Sequence, residues 1–340
     1  MKKIPAVFVC VFLSILSSCS RKNTVVNTSS SERPVIGFSI DTLIVERWRK
    51  DCGIFVETAR KNSADVIIQD AANSVEEQIR QIEALISKKV DVLVIVPKET
   101  ESLSAVLDKA KSKKIPVISY DRLIRGSDID LYVSVDSKEV GRLMAEAMLS
   151  VQKTGGYWCL LGPEEDYNMI LADWGIREVL SRNGISVDLK YFTPDWNYDL
   201  AYQKMNALLD NNLLPSAVIC GNDAVAENVL RSISEHRLGK TIPVVGQDAE
   251  VLACRRVAQG VQTATVYKPI SELAEIAADY ACRIAANPDS WLESSEITDT
   301  LDNGVKQVPA LLLKPVLVTK ENLKETVIDS KFHTYEEIYR

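Results

Sequence analysis

Polar and aromatic side chains follow several of the short apolar runs in this sequence, at the point where each run ends. The runs, such as "PVIGFSI" and "VDVLVIVP", are nearly continuous and rich in β-branched residues, which is typical of strands buried on both faces of a parallel sheet. Ligands bind such sheets beyond the carboxyl ends of the strands. The acids, amides, cations and tryptophans at these ends are Arg47, Trp48, Asp121, Arg122, Asp166, Asn168, Trp196, Asn222, Asp248 and Lys268.

These residue types suit the binding of a neutral polyol. A sugar hydroxyl both donates and accepts hydrogen bonds, so carboxylates accept its proton while guanidinium and ammonium groups donate to its oxygen. The C–H face of a sugar ring packs well on an indole ring. Trp48 and Trp196 follow strands predicted for opposite domains, so we expect them to face one sugar from two sides.

Each of these residues taken alone also has a purely structural interpretation. A tryptophan early in a helix, like Trp48, is commonly part of the core. Asp121 and Asn222 suit turns or helix caps, and Lys268 suits a solvated surface. Their shared position after strands favours the ligand site. The remaining tryptophans are interpreted as structural: Trp158, Trp174 and Trp291.

Amphipathic segments separate the apolar runs and predict the elements that position the site. In residues 75–88, for example, Ile79, Ile82, Leu85 and Ile86 share one helical face. Strands that alternate with helices predict βαβ units and a doubly wound α/β fold. About ten strands exceed a comfortable single sheet, so we expect two parallel-sheet lobes, with a crossing near residues 134–138.

Composition and missing motifs exclude several classes of function. The net charge of −7 argues against a nucleic-acid binder, and two histidines leave little material for metal sites or proton relays. GxSxG, GxGxxG, HExxH and CxxC motifs are absent from the sequence, so neither a cofactor nor a metal is expected. The strand-end carboxylates resemble a glycosidase pair only loosely, because nearly every one has a cation or an amide nearby, which suits binding.

The N-terminus has the pattern of a secretion signal. Lys2 and Lys3 precede an apolar run that is short for a membrane span, and the run ends in "LSSC". This ending resembles a bacterial lipobox, so residues 1–18 are predicted to be a signal peptide and Cys19 the acylated first residue. An ordinary signal peptide cut elsewhere is the alternative. Residues 19–33 are polar and predict a flexible tether that reaches about 20 Å.

Taken in order, the segments "ERWRKD", "YDR", "GNDA", "GQDAE", "VYKP" and "LDNGVKQVPALLLKPV" resemble the D-xylose-binding members of the type I periplasmic sugar-binding proteins that serve ABC transporters. The resemblance covers nearly the whole chain from residue 35 to about residue 333. It implies two α/β lobes joined by three crossings, with one monosaccharide held between them. The N-terminal lobe would comprise residues 34–135 and about 264–310, and the C-terminal lobe residues 136–263 and about 311–340.

The resemblance also assigns the ligand contacts, since the chemical types at the family positions are retained. The implied sugar-binding residues are Arg47, Trp48, Lys50, Asp121, Arg122, Asp166, Asn168, Trp196, Asn222, Asp248 and Lys268. The chain departs from the family pattern at Thr42, at Ile44 and in the loop around Tyr167. These departures concern fine specificity more than the class of sugar.

The mechanism implied by the resemblance is hinge closure around D-xylose or a similar pentose, followed by docking of the closed form on an ABC permease. The protein would be a monomer in the cell envelope, lipid-anchored on the periplasmic side of a bacterial membrane. Three alternatives remain: a sugar sensor for a membrane signalling receptor, an enzyme acting on glycosides, and an intracellular repressor. The repressor would need an N-terminal helix-turn-helix where this chain has a signal.

Overall fold

Strands and helices alternate along the chain, as the apolar runs predict. The computed structural model describes residues 33–44, 46–239, 241–288, 297 and 299–340. The predicted signal peptide, Cys19, most of the tether and Trp291 lie outside the described residues. The strands are β1 (Val35–Ile40), β2 (Asp65–Asp70), β3 (Val92–Ile95), β4 (Val117–Tyr120), β5 (Leu131–Val135), β6 (Tyr157–Leu161), β7 (Val187–Phe192), β8 (Ala217–Cys220), β9 (Val244–Val245), β10 (Thr265–Tyr267), β11 (Asp299–Asp302), β12 (Gln307–Leu313) and β13 (Val316–Val318).

The helices fill the intervals between the strands. They are α1 (Glu46–Lys61), α2 (Val75–Ser87), α3 (Ser104–Ser112), α4 (Ser137–Val151), α5 (Tyr167–Arg182), α6 (Tyr198–Asp210), α7 (Asp223–Glu235), α8 (Val251–Ala258), α9 (Ile270–Ala286) and α10 (Tyr335–Tyr339). Among the described residues, none of these helices is both long and apolar enough to span a bilayer. Helix α2 illustrates the local cause: Ser74 caps its first turn, and Ile82, Leu85 and Ile86 are buried along one face.

Seven strands form the first sheet, in the order β11-β12-β5-β4-β3-β1-β2. All neighbours are parallel except β11, which pairs antiparallel with β12. Strand β12 inserts beside β5, with Ala310 opposite Tyr132, so the end of the chain returns to a sheet begun by its start. Helix α9 packs against α1 on the same sheet. We refer to β1–β5, β11, β12, α1–α3 and α9 as the N-terminal lobe.

The second sheet has four parallel strands, in the order β7-β6-β8-β9. A parallel bridge between Val245 and Ala264 leads on to β10, which pairs antiparallel with β13. We refer to β6–β10, β13, α4–α8 and α10 as the C-terminal lobe. The chain passes between the lobes after β5, after β10 and after β12. The predicted α/β class with two parallel-sheet lobes and three connections is therefore confirmed.

Helices α4 and α5 approach each other unusually closely in the C-terminal lobe. A Cβ atom on Gly141 would overlap the carbonyl of Ala172, and one on Gly175 would overlap the carbonyl of Lys138. Glycine is therefore required at both positions for this approach. The close packing fixes the position of α5, whose first residues carry part of the candidate site.

Candidate functional site

Asp121 lies at the centre of the site, directly after β4. Its backbone is left-handed, with φ of 63°, a conformation that aspartate tolerates better than most residues. The backbone amide donates to Val133 (2.8 Å), and the carbonyl accepts from the hydroxyls of Ser134 (2.7 Å) and Tyr132 (2.9 Å). These bonds fix the backbone at Asp121, and the residue as a whole is 5% exposed.

Arg47 on α1 forms an ion pair with the carboxylate of Asp121. Its Nε lies 3.6 Å from Oδ2 of Asp51, one helical turn further on, and its guanidinium lies 4.4 Å from the ring centre of Trp48. Asp51 is fully buried and accepts a hydrogen bond of 2.8 Å from the hydroxyl of Tyr120. The guanidinium is thus held by two carboxylates and a flat ring.

Arg122 follows Asp121 and makes a second set of ion pairs. Its Nη1 donates to Asp41 Oδ2 (2.5 Å) and to the carbonyl of Pro97 (3.2 Å). Its Nε lies 4.0 Å from Asp166 Oδ2, which belongs to the C-terminal lobe. Asp41 directly follows β1, so it occupies the same kind of position as the predicted residues, although it was not among them.

The first residues of α5 connect the two lobes. Asp166 caps the helix by accepting hydrogen bonds from the amides of Asn168 (2.9 Å) and Met169 (3.4 Å). The side-chain Nδ2 of Asn168 donates to Oδ1 (3.2 Å) and to the carbonyl (3.3 Å) of Asp121. A hydrogen bond between predicted ligand residues therefore crosses from the C-terminal to the N-terminal lobe.

The C-terminal lobe contributes residues from the ends of β7, β8, β9 and β10. Lys268 Nζ lies 2.7 Å from Oδ1 of Asp248, and Asp248 has a φ of 103°. Asn222 caps α7 by accepting from the amide of Val225 (2.9 Å), while its Nδ2 donates to the hydroxyl of Tyr198 (3.4 Å).

Trp196 lies in a short turn after β7, with φ of 55°. Its six-membered ring covers Gly162 so closely that a Cβ on that glycine would overlap it. Gly162 itself follows β6, so the ring packs over the edge of the second sheet. The lack of a side chain at Gly162 is what gives the indole room there.

Charged groups of the two lobes lie close enough to shift each other's pKa values. Burial opposes the charge on Asp121, but the positive charges of Arg47, Lys268 and Arg122 outweigh it and hold the pKa of this carboxyl below its usual value. Burial likewise opposes the charge on Arg47, and nearby carboxylates, including Asp248, raise the pKa of its guanidinium. Lys268 and Asp248 of one lobe thus act on Asp121 and Arg47 of the other.

Most of the predicted residues gather in this site, but Lys50 points elsewhere. Lys50 is exposed on α1. Hydrogen bonds with Thr334 lower the pKa of Glu337 on α10, and the charge of Lys50 adds to that effect, so Lys50 lies toward α10. Trp48 is 4% exposed and packs into the core with Arg47 over its ring. The sugar contacts of Lys50 and Trp48 stay predictions.

The chemistry of the site suits a neutral ligand with many hydroxyls. Each of the three cations Arg47, Arg122 and Lys268 faces at least one carboxylate, so the cluster does not offer a strong net field for an ion. Three buried atoms of this cluster, Arg47 Nε, Asp51 Oδ1 and Asn168 Oδ1, lack a hydrogen-bond partner within the described residues. A donor and an acceptor left over in one site fit a hydroxyl group, which does both. Over the same described ranges, acidic, histidine and cysteine side chains form no cluster able to hold a metal ion.

Comparison with known proteins places the chain in a family. A family model described as a periplasmic binding protein domain matches residues 36–289, and the protein belongs to that family. The chain is 41% identical over 322 residues to a D-xylose-binding periplasmic protein of Haemophilus influenzae, covering 93% of this chain and 96% of that protein. A D-xylose-binding periplasmic protein of Escherichia coli is 39% identical over 308 residues, covering 89% and 92%.

A solved structure agrees with this assignment. An ABC transporter solute-binding protein from Clostridium phytofermentans with bound β-D-glucose superposes with a TM-score of 0.80 at 28% identity, covering 89% of this chain and 99% of that one. The resemblance that the sequence motifs predict is confirmed. The family and these relatives are binding proteins, which is the class expected from the sequence.

Proposed function

We propose that this protein is a solute-binding protein that holds one monosaccharide, D-xylose, between its lobes and delivers it to an ABC sugar permease. The observation that carries the proposal is the network from Arg47 through Asp121 to Asn168, because it joins both lobes around buried polar atoms that have bonding capacity to spare. The curated relatives that bind D-xylose support the choice of sugar.

The balance of charges supports a neutral sugar over a sugar phosphate or an acid. A phosphate would need cations in excess, whereas the cations here are already paired with Asp41, Asp121 and Asp248. Hydrogen bonds to charged groups are each worth about 1.5–3 kcal/mol. A few such bonds give a small polyol a useful affinity without any charge of its own.

The ligand-binding set includes every residue assigned from the family pattern. Trp48 and Trp196 are proposed to bound the ring of the sugar, whereas a sugar contact of Lys50 would require its side chain to turn from α10 toward the site. The predicted lobe limits are part of the same proposal with one adjustment at each end: β10 (Thr265–Tyr267) goes with the C-terminal lobe, and all of β12 (Gln307–Leu313) goes with the N-terminal lobe. So is closure about the three connections.

The anchoring of the protein is proposed from the sequence. Cys19 would carry the lipid, and residues 19–33 would tether the lobes on the periplasmic side of a bacterial membrane. A monomer is the simplest state for a protein that closes around one ligand. The periplasmic relatives support the compartment.

Titration calorimetry with D-xylose, D-ribose, L-arabinose, D-glucose and D-galactose tests the proposal. We expect one-to-one binding, tightest for D-xylose. If none of these sugars binds, the assignment of the cluster to a monosaccharide is wrong. If a hexose binds tightest, the site is right and the choice of pentose is wrong.

A further inference from the structure

Tyr167 is the first residue of α5, but its side chain packs against the other lobe. The helix belongs to the C-terminal lobe, where α4 fixes it through Gly141 and Gly175. The Tyr167 ring nevertheless packs against a hydrophobic cluster of the N-terminal lobe. One side chain therefore joins the two lobes through an apolar contact.

Charged groups of the N-terminal lobe surround this ring. The guanidinium of Arg125 lies 5.7 Å from the ring centre, a distance compatible with a cation–π contact. Burial raises the pKa of the Tyr167 hydroxyl, while the charge of Arg125 opposes that rise and the carboxylate of Asp302 adds to it. Arg125 lies in the loop between β4 and β5 and Asp302 is the last residue of β11, so the ring rests where this loop meets the end of that strand.

Tyr167 also lies between two residues that reach the candidate site. Asp166 approaches Arg122, with 4.0 Å between Oδ2 and Nε, and Asn168 donates to Asp121. Both polar contacts depend on where the first turn of α5 stands relative to the N-terminal lobe. The Tyr167 ring is the apolar part of that same attachment.

We propose that Tyr167 is a positioning residue that sets sugar affinity by attaching the start of α5 to the N-terminal lobe, without itself touching the sugar. This inference rests on the proposed function. The contact exists only when the lobes are together, so it stabilises the closed form relative to the open form. A ligand that binds across both lobes gains that stabilisation whatever its own hydroxyl pattern.

The pattern of affinities across several sugars distinguishes a positioning residue such as Tyr167 from a residue that contacts sugar. Removing a sugar contact changes the affinities of different sugars by different factors, because each sugar presents different hydroxyls. Removing an attachment between the lobes changes every affinity by the same factor. For Tyr167→Ala we expect a loss of roughly tenfold for each sugar, the scale of a partly buried aromatic ring. Tyr167→Phe keeps the ring and should stay within about twofold of wild type.

A matched control is available within the C-terminal lobe. Tyr202 on α6 has the guanidinium of Arg231 4.2 Å from its ring centre and donates a hydrogen bond to Glu235 of α7. It thus makes the same kind of cation–π contact inside one lobe. Tyr202→Ala should lower thermal stability and leave sugar affinity unchanged.

The test titrates wild type, Tyr167→Ala, Tyr167→Phe and Tyr202→Ala with two sugars that wild type binds, and records thermal unfolding without sugar. Equal loss for both sugars in Tyr167→Ala, with recovery in Tyr167→Phe, supports the inference. Unchanged affinity in Tyr167→Ala overturns it, and so does a loss confined to one sugar. If wild type binds no sugar at all, the proposed function fails first, and the inference fails with it.

Discussion

The two halves of the candidate site are held in place by different means. In the N-terminal lobe, Arg47 and Arg122 are fixed by ion pairs with buried or nearly buried carboxylates. In the C-terminal lobe, Asp248 and Lys268 form one ion pair that is more open to solvent, with side chains 30% and 16% exposed. The N-terminal half is therefore held mainly by ion pairs with buried carboxylates, while the C-terminal half depends more on the buried groups that support it.

Beneath the C-terminal half lies one buried carboxyl group. Asp223 accepts hydrogen bonds from Thr265 (2.7 Å), from the side chain of Gln262 (2.8 Å) and from the amide of Glu250 (3.1 Å). Its own amide donates to Gln247. Asp223 thereby connects the segments that carry Asn222, Asp248 and Lys268. The N-terminal half of the site is thus stabilised by ion pairs that the proposed ligand residues themselves form, and the C-terminal half by the buried carboxyl group of Asp223.

The largest effect is expected from Asp121→Ala, because it breaks the N-terminal half at its centre. The change takes the main ion-pair partner from the Arg47 guanidinium, leaving it only Asp51, and removes the side-chain acceptor of Asn168. We expect both sugar affinity and the free energy of unfolding to fall, each by about 2–5 kcal/mol. Calorimetric titration and urea unfolding measure the two.

Asp128→Ala is the matched control for this variant. Asp128 also faces two cations, Lys111 and Lys306, but on the far surface of the same lobe. It should cost about 1 kcal/mol of stability or less and leave affinity unchanged. Equal behaviour of the two variants would contradict a central role for Asp121.

A more selective effect is expected from Asp248→Ala in the C-terminal half. Losing this carboxylate should weaken the free energy of sugar binding by about 2–5 kcal/mol, which takes the affinity below what calorimetry can measure. The reason is that Lys268 loses its partner and the sugar loses an acceptor. The partial exposure of the pair predicts a melting temperature close to that of wild type without sugar. Calorimetry and thermal unfolding together test this split. Wild-type affinity in Asp248→Ala would remove Asp248 from the site.

The smallest effect is expected from Asp223→Asn, and it depends on pH. Burial raises the pKa of Asp223 to about 8. A raised folded-state pKa contributes stability that is full below the unfolded pKa and is lost as pH rises through about 8. Asparagine does not titrate, so the stability advantage of wild type over the variant should shrink as the pH rises from about 4 to about 8.

Urea unfolding at several pH values measures this difference. Asp173→Asn is the control, because Asp173 is nearly buried in the same lobe but is paired with Lys190 and Arg177. A constant difference between wild type and Asp223→Asn across the pH range would contradict a protonated carboxyl at this position.

The sequence predicts the fold class and the group of polar residues that follow the strands, because both depend on local patterns. Continuous β-branched runs mark β1 to β10, and the residues after them include Asp121 and Asp248. Asp41 could have been found by the same rule, since it directly follows β1. The family resemblance supplied the remaining assignments, including Lys50.

Other features could not be predicted, because they depend on contacts distant in sequence. In the sequence, Asp51 looks like one more exposed charge on a helix, whereas in the structure it is buried and accepts a hydrogen bond from Tyr120. Tyr167 gives no signal in sequence that its ring packs on the opposite lobe. Strands β11 and β13 are short and lack a long apolar run, so only tertiary pairing reveals them.

The return of β12 to the first sheet also sets an order of assembly. Until residues 307–313 have been synthesised, β5 has an unpaired edge, and β10 waits likewise for residues 316–318. Neither β5 nor β10 gains its last partner until about nine tenths of the chain has been synthesised. The nascent protein therefore carries the open edge of β5 for about half of its synthesis, and an open strand edge is the condition in which chains most readily pair with one another.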